Sequence, residues 1–176
     1  ESDRQSLELA IPTDEVQTLY DDGELARVRH FTGAITLDNP HLWQGLKDPF
    51  LYTATAELKK GGQTIDEVTA KFGCRSYSFD PDKGFFLNGE SYPLRGVARH
   101  QDRLGVGNAL TKEMHDEDME LILSVGANSI RLAHYQHDQY FYDLCDEKGI
   151  LAWAEIPYIT VHMEGGRENT ISQMKE

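Results

Sequence analysis

Cysteine is nearly missing from this chain: Cys74 and Cys145 are the only two in 176 residues. They stand far apart in different settings, which reads as two ordinary half-buried thiols rather than a bridge or a metal site. Long apolar runs are missing as well. Nothing approaches the roughly 18 consecutive apolar residues of a transmembrane helix, so no membrane partner is expected. Positive charge is scarce, with 17 Lys and Arg against 30 Asp and Glu and a formal net charge of −13. A phosphate backbone is bound by clustered cations, so a nucleic-acid partner is excluded. The opening ESDRQSLELAIPTDE has neither the basic nor the apolar region of a signal peptide. It also lacks an initiator Met, so the true start is expected upstream, and the compartment stays open between cytoplasm and periplasm.

What is present belongs to a globular protein: 39% hydrophobic and 27% charged residues. Two halves obey different grammars. Residues 1–80 read as short strands. Leu7, Leu9 and Ile11 alternate with polar residues, as do Gly33, Ile35 and Leu37. The run from Leu51 to Leu58 leads through Gly61-Gly62, a hairpin turn, into Ile65–Phe72. Pro12, Asp22-Gly23 and Pro40 punctuate the rest. This pattern predicts an immunoglobulin-like β-sandwich, one that lacks its first strands, since a full sandwich takes about 100 residues. Residues 81–93 form a linker or hairpin with turn formers at Asp80-Pro81 and Asn88-Gly89. The DPDKG stretch there lacks the spacing and closing Glu of a calcium loop.

From residue 94 to 176 the period changes. LRGVARH is a strand, 111–127 a helix capped by Thr111, and NSIRLAHY a strand. Residues 138–149 form a helix between Asp138 and Gly149, and ILAWAEIP is a third strand. Strand–helix–strand–helix–strand predicts parallel strands with crossover helices. A closed (β/α)₈ barrel takes about 250 residues, so the fold class is two-part: a sandwich, then an incomplete barrel segment of about three parallel strands and two helices. Val97, Ile130, Leu132 and Trp153 are expected to face the interior of the closed barrel. The sandwich is expected to hold the stability, and the open barrel edge to invite self-association. The rival, a small open α/β sheet, lacks a phosphate loop; GVGNAL at 105–110 is too slight a signal.

In a barrel, function collects at the carboxyl ends of the strands. The first strand ends in Arg99, His100 and, just beyond, Asp102. The second carries Arg131 and ends in His134 and Tyr135; the third ends in Glu155. Arg131 and His134 differ in strand parity, so they converge only if the strand ends or bulges between them. Glycoside cleavage takes two carboxyl groups, about 5–5.5 Å apart in retaining enzymes. Asp102 and Glu155 are the only carboxylates at this rim, on the first and third strands, and read as structural or substrate-orienting. His115 with Asp118 or Met119 lies on a charged helix start and reads as solvated; His134 and His137 do not share a helix face, so no metal site is expected.

These segments resemble family 2 glycoside hydrolases, and β-galactosidases most closely; β-glucuronidases and β-mannosidases share the skeleton. NPHLWQGLKDPFLY (39–52) and FGCRSYSF (72–79) are similar to that family's late sandwich motifs. GFFLNGESYPLRGVARHQD (84–102) resembles the opening of its catalytic barrel, and NSIRLAHY with FYDLCDEKGILAWAEIP the next two barrel units. The resemblance implies retaining hydrolysis of a β-galactoside by a longer parent chain, with both catalytic Glu beyond position 176. No catalytic residue would then lie in this chain, which by itself would be inactive. The resemblance makes His100 and His134 galactosyl contacts, Arg131 a positioner of the nucleophile and Glu155 a rim carboxylate. Some relatives hold Mg²⁺ nearby through a Glu and a His two residues on. Here those positions carry Thr160 and His162, and Thr is a poor ligand, so no cofactor is expected. The competing class is a carbohydrate-binding module, for which Trp43 is the one candidate aromatic; its NPHLW setting suggests a packing anchor instead.

Overall fold

The computed structural model describes residues 5–8, 17–21, 24–28, 33–159 and 165–175. It forms two compact units, Glu1–Pro40 and His41–Glu176. In the first, β1 (Gln17–Asp21) and β2 (Glu24–Val28) pair antiparallel, Gln17 opposite Val28 and Asp21 opposite Glu24. The alternations expected to be strands at 7–11 and 33–37 fare differently. Residues 5–8 and 33–37 join no ladder, and 9–12 lie outside the described residues, as does the Asp22-Gly23 turn. Alternation marks a chain that could be half buried, but a ladder also needs a partner.

The second unit starts at a tryptophan. Trp43 is fully buried; its Nε1 donates to Asp146 O at 2.8 Å and its backbone N to Cys74 O at 2.8 Å. The Arg75 guanidinium lies 4.9 Å from the ring centroid. Trp43 is therefore a packing anchor and presents no exposed sugar platform. β3 (Tyr52–Lys60) and β4 (Gln63–Phe72) form a long hairpin closed by Gly61 and Gly62 at φ +59° and +83°, the mirror-type turn that suits strand twist. β5 (Tyr77–Asp80), β6 (Gly84–Leu87) and β7 (Glu90–Ser91) make a meander. At its first turn Asp80 Oδ1 accepts from Asp82 N and Lys83 N, so DPDKG is a hairpin turn.

β8 (Gly96–Arg99), α1 (Lys112–Ser124), β9 (Ser129–Leu132), α2 (Gln139–Lys148) and β10 (Leu151–Ala154) come next, with the strands parallel in the order β10–β9–β8. A short helix, α3 (Arg167–Gln173), comes last. Asp138 caps α2 by accepting from Tyr140 N. Buried Asn128 holds the amino ends of the strands in line: Oδ1 accepts from Arg95 N at 2.7 Å and Nδ2 donates to Pro93 O at 2.9 Å. Its carbonyl accepts from Leu151 N.

The core lies between this sheet and its helices. Met119, Ile122, Phe141, Leu144 and Cys145 pack on Ile130, Leu132 and Ile150, with Val97 against them. Ile130, Leu132 and Val97 therefore face the helices and not a barrel interior. Strand parity explains this: Ala98, Arg131 and Trp153 share one register and take the opposite face, where Trp153 is 64% exposed. Among the described residues the packed apolar cluster sits in this second half, while β3 and β4 are exposed along nearly their whole length. This packing points away from the expectation that the sandwich half holds the stability. Two crossover helices cover one face of a parallel sheet without outside help, whereas a two-stranded hairpin has nothing of its own to bury against.

Candidate functional site

Parallel strands end at one edge, so the residues just past β8, β9 and β10 are brought together. His100 comes directly after β8, His134 two residues after β9, and Glu155 directly after β10. The parity conflict between Arg131 and His134 is resolved by the strand stopping. The ladder ends at Leu132, Ala133 N donates to Arg99 O, and past that point the strand alternation no longer applies, so both side chains reach Glu155.

The geometry is tight. Arg131 Nε donates to Glu155 Oε1 at 2.6 Å and Nη2 to Oε2 at 3.2 Å, a two-point grip on the carboxylate. His134 Nδ1 lies 2.8 Å from Arg131 Nη2 and 3.1 Å from Glu155 Oε2. It accepts from Arg131 when unprotonated and donates to Glu155 when protonated. The His100 ring meets the His134 ring edge-on, centroids 5.0 Å apart. Hydrogen bonds from Arg131 and then His134 hold the Glu155 carboxyl below the usual carboxylate range. Glu155 is thus ionised and engaged, a poor proton donor to a leaving group.

Beside the cluster lies an open cleft of about 840 Å³, lined by Arg131, His134, Gln136, Tyr142, Glu155, Tyr158 and residues of α3 among others. Of the five residues expected at the rim, the structure brings four together. Asp102 stands exposed in the turn after His100 and has no hydrogen bond to the others. Thr160 and His162 lie outside the described residues. Among the described residues no group of three His, Cys, Asp or Glu is placed to hold a metal ion. The arrangement can bind and orient hydroxyl groups. A cleaving pair of carboxylates is not among its members.

Behind the rim is a second network that sequence reasoning missed. Arg99 is 7% exposed; Nε donates to Asp118 Oδ2 at 2.9 Å, Nη2 to His115 Nδ1 at 3.0 Å and Nη1 to His137 Nδ1 at 3.1 Å. Its guanidinium carbon lies 3.9 Å from the Phe141 ring centroid. His115 was expected to be solvated and is instead 1% exposed. The usable signal was the 115, 119, 122 spacing, which puts His115 on the stripe of Met119 and Ile122. Burial, with the charge of Arg99, pushes its pKa down; burial is also the first cause lowering that of His137. Both rings are therefore neutral acceptors to Arg99.

Comparison with known proteins gives two family matches. The model described as "Glycosyl hydrolases family 2, TIM barrel domain" matches residues 81–175, and that described as "Glycosyl hydrolases family 2" matches 4–75. The chain belongs to glycosyl hydrolases family 2. The first half is accordingly the immunoglobulin-like part of a family 2 protein, and the β8–β10 sheet is the start of its barrel. The chain is 53% identical over 125 residues to a β-glucuronidase of Bacteroides fragilis, covering 71% of this chain and 18% of the relative. It is 36% identical over 124 residues to a β-galactosidase of Thermoanaerobacter pseudethanolicus, covering 70% and 17%. The solved structure of Bacteroides uniformis β-glucuronidase 3 superposes with a TM-score of 0.71 at 40% identity, covering 86% of this chain and 20% of that one. The chain thus spans about a fifth of the length of such family 2 relatives.

Proposed function

We propose that Arg131, His134, Glu155 and His100 form part of the sugar-binding rim of a retaining glycoside hydrolase, with the cleaving carboxylates supplied from outside these 176 residues. The observation that carries this reading is the convergence of Arg131, His134 and Glu155 on one cleft at the carboxyl edge of the sheet, with the His100 ring packed edge-on against His134. In this reading Glu155 sets the orientation of Arg131 and His134, which face the sugar hydroxyls, and Asp102 plays a lesser part from the adjoining turn.

Two glycons compete. β-Glucuronosides are favoured by the name of the relative at 53% identity. β-Galactosides are favoured by one feature of the rim: Arg131, the only cation lining the cleft among the described residues, is already paired with Glu155. A sugar carboxylate would need a cation from elsewhere, whereas hydroxyls need only the acceptors and donors present. The test is kcat/KM on nitrophenyl β-glucuronide and nitrophenyl β-galactoside, using a protein that carries this segment within a complete barrel. A preference of 10-fold or more for one glycon decides between them, and turnover of neither sinks the glycosidase reading. The 176 residues alone are expected to hydrolyse neither. Turnover that survives repurification and is abolished by Glu155→Gln would overturn the absence of a cleaving pair.

A further inference from the structure

We propose that Arg99 and Gln101 are positioning residues for His134: from behind and beside the sheet they fasten both ends of the 133–138 segment that carries it. Arg99 Nη1 donates to His137 Nδ1 at 3.1 Å, and Nε2 of the same ring donates to Ala133 O at 3.0 Å. His137 is thereby a neutral ring of one tautomer, acceptor to the arginine and donor to the chain. Ala133 N in turn donates to Arg99 O at 3.0 Å. The segment leaves β9 at Ala133, carries His134, Tyr135 and Gln136 over the rim, and returns at His137, whose ring closes it onto its own start. Gln101 ties the outer side: its backbone N donates to Tyr135 Oη at 3.2 Å and its Oε1 accepts from Asp138 N at 2.7 Å.

Arg99 is itself immobilised by Asp118, His115 and the Phe141 face, all on α1 or α2. The loop is thus referenced to the packed core. The direct partners of His134 are weaker anchors. Arg131 is 46% and His134 30% exposed at the side chain, so water competes for both. The catalytic meaning of this support rests on the glycosidase reading, but the geometry does not, and the experiment reads the geometry alone.

The measurement is the nuclear Overhauser cross-peak between the His100 and His134 rings in the 176-residue chain, recorded well below the melting temperature. The wild type should show it, given rings 5.0 Å apart. His137→Leu removes both bonds, and the cross-peak should fall at least several-fold. His137→Gln offers an oxygen to Arg99 and an NH₂ to Ala133 O, and should restore it. His115→Leu removes one of the holds on Arg99 but leaves Asp118, the Phe141 face and both His137 bonds; it should lower Tm and weaken the cross-peak less than His137→Leu. Gln101→Ala should weaken the cross-peak with little loss of Tm, and it decides the matter if His137→Leu does not fold. The proposal is overturned if the wild type lacks the cross-peak, or if His137→Leu or Gln101→Ala leaves it unchanged. It also falls if His115→Leu abolishes it as fully as His137→Leu. Correct cross-peaks combined with no turnover in a complete barrel would count against the glycosidase reading only.

Discussion

At the scale of single residues, the rim and its support make different predictions. His134 lines the cleft just past the end of β9, so His134→Ala in a complete enzyme should lower kcat by roughly 30- to 1,000-fold, about 2–4 kcal/mol of transition-state stabilisation. Its half-exposed ring contributes little to the core, so Tm should move by only a few degrees. Steady-state kinetics and melting on one preparation separate the two effects; an unstable variant with normal kcat would end the substrate-contact role. His115 and His137 behave oppositely. Both are neutral in the folded state, with pKa below the 6.5 of the free side chain. The unfolded chain therefore binds more protons as pH falls through 6.5, and stability is complete above that value and lost below it. Arg99 faces both rings and opposes protonation; His100 adds to that at His137. Asp116, Asp118 and Asp138 near His115 work the other way. Unfolding free energies from urea melts between pH 5 and 7.5 should fall with acid by up to about 1.4 kcal/mol per pH unit per histidine. His115→Gln should flatten that slope, and an unchanged slope would show that the ring is not the proton acceptor.

At the scale of elements, α2 is held at its carboxyl end by one glycine. Gly149 has φ +79°, the left-handed cap, and a Cβ added there would run into the Gly45 carbonyl. Gly126, after α1, has a similar φ of +75° but open space around it. Gly126→Ala should therefore cost about 1 kcal/mol, the left-handed penalty alone. Gly149→Ala should cost about 3 kcal/mol, because the 45–46 backbone must also move. Equal urea midpoints for the two variants would show that the 45–46 segment yields freely. That segment adjoins Trp43, whose bond to Asp146 O docks it on α2.

At the scale of the whole molecule, stability should track the packing. Amide exchange should be slowest at Ile130, Leu132 and the inner faces of α1 and α2, and fastest along β3 and β4. The reverse order would restore the sandwich as the stable half. The sheet face opposite the helices presents Trp153 at 64% exposure, and β8 and β10 are its edges. Such a face with open edges invites pairing. Sedimentation at tens of micromolar should detect self-association, weakened several-fold by Trp153→Glu; a monomer at all concentrations would refute it.

Much was legible beforehand because it depends on local chemistry. Change of period from 2 to 3.6 separated strands from helices, and Gly61-Gly62, Asp138 and Gly149 marked turns and caps, since each acts on backbone within a few residues. Strand ends named His100, Arg131, His134 and Glu155, because parallel strands that share a sheet must deliver their ends to one edge. The face each strand buries was not legible, so Ile130 and Leu132 were placed inside a barrel when they pack on helices. Neighbouring charge made His115 look solvated, although it lies on a core stripe. Asp102 lies just beyond His100 and so read as part of the rim, but a loop direction is set by what it ties to. The sequence by itself determined the β3–β4 hairpin, the three parallel strands with their two helices, and the edge where their polar ends gather, through interactions spanning a few residues. Only the tertiary structure decided which charged groups pair, because Arg99 meets His115, His137 and Asp118 across 16 to 38 positions of chain, and no local pattern encodes a contact made by packing helices on a sheet.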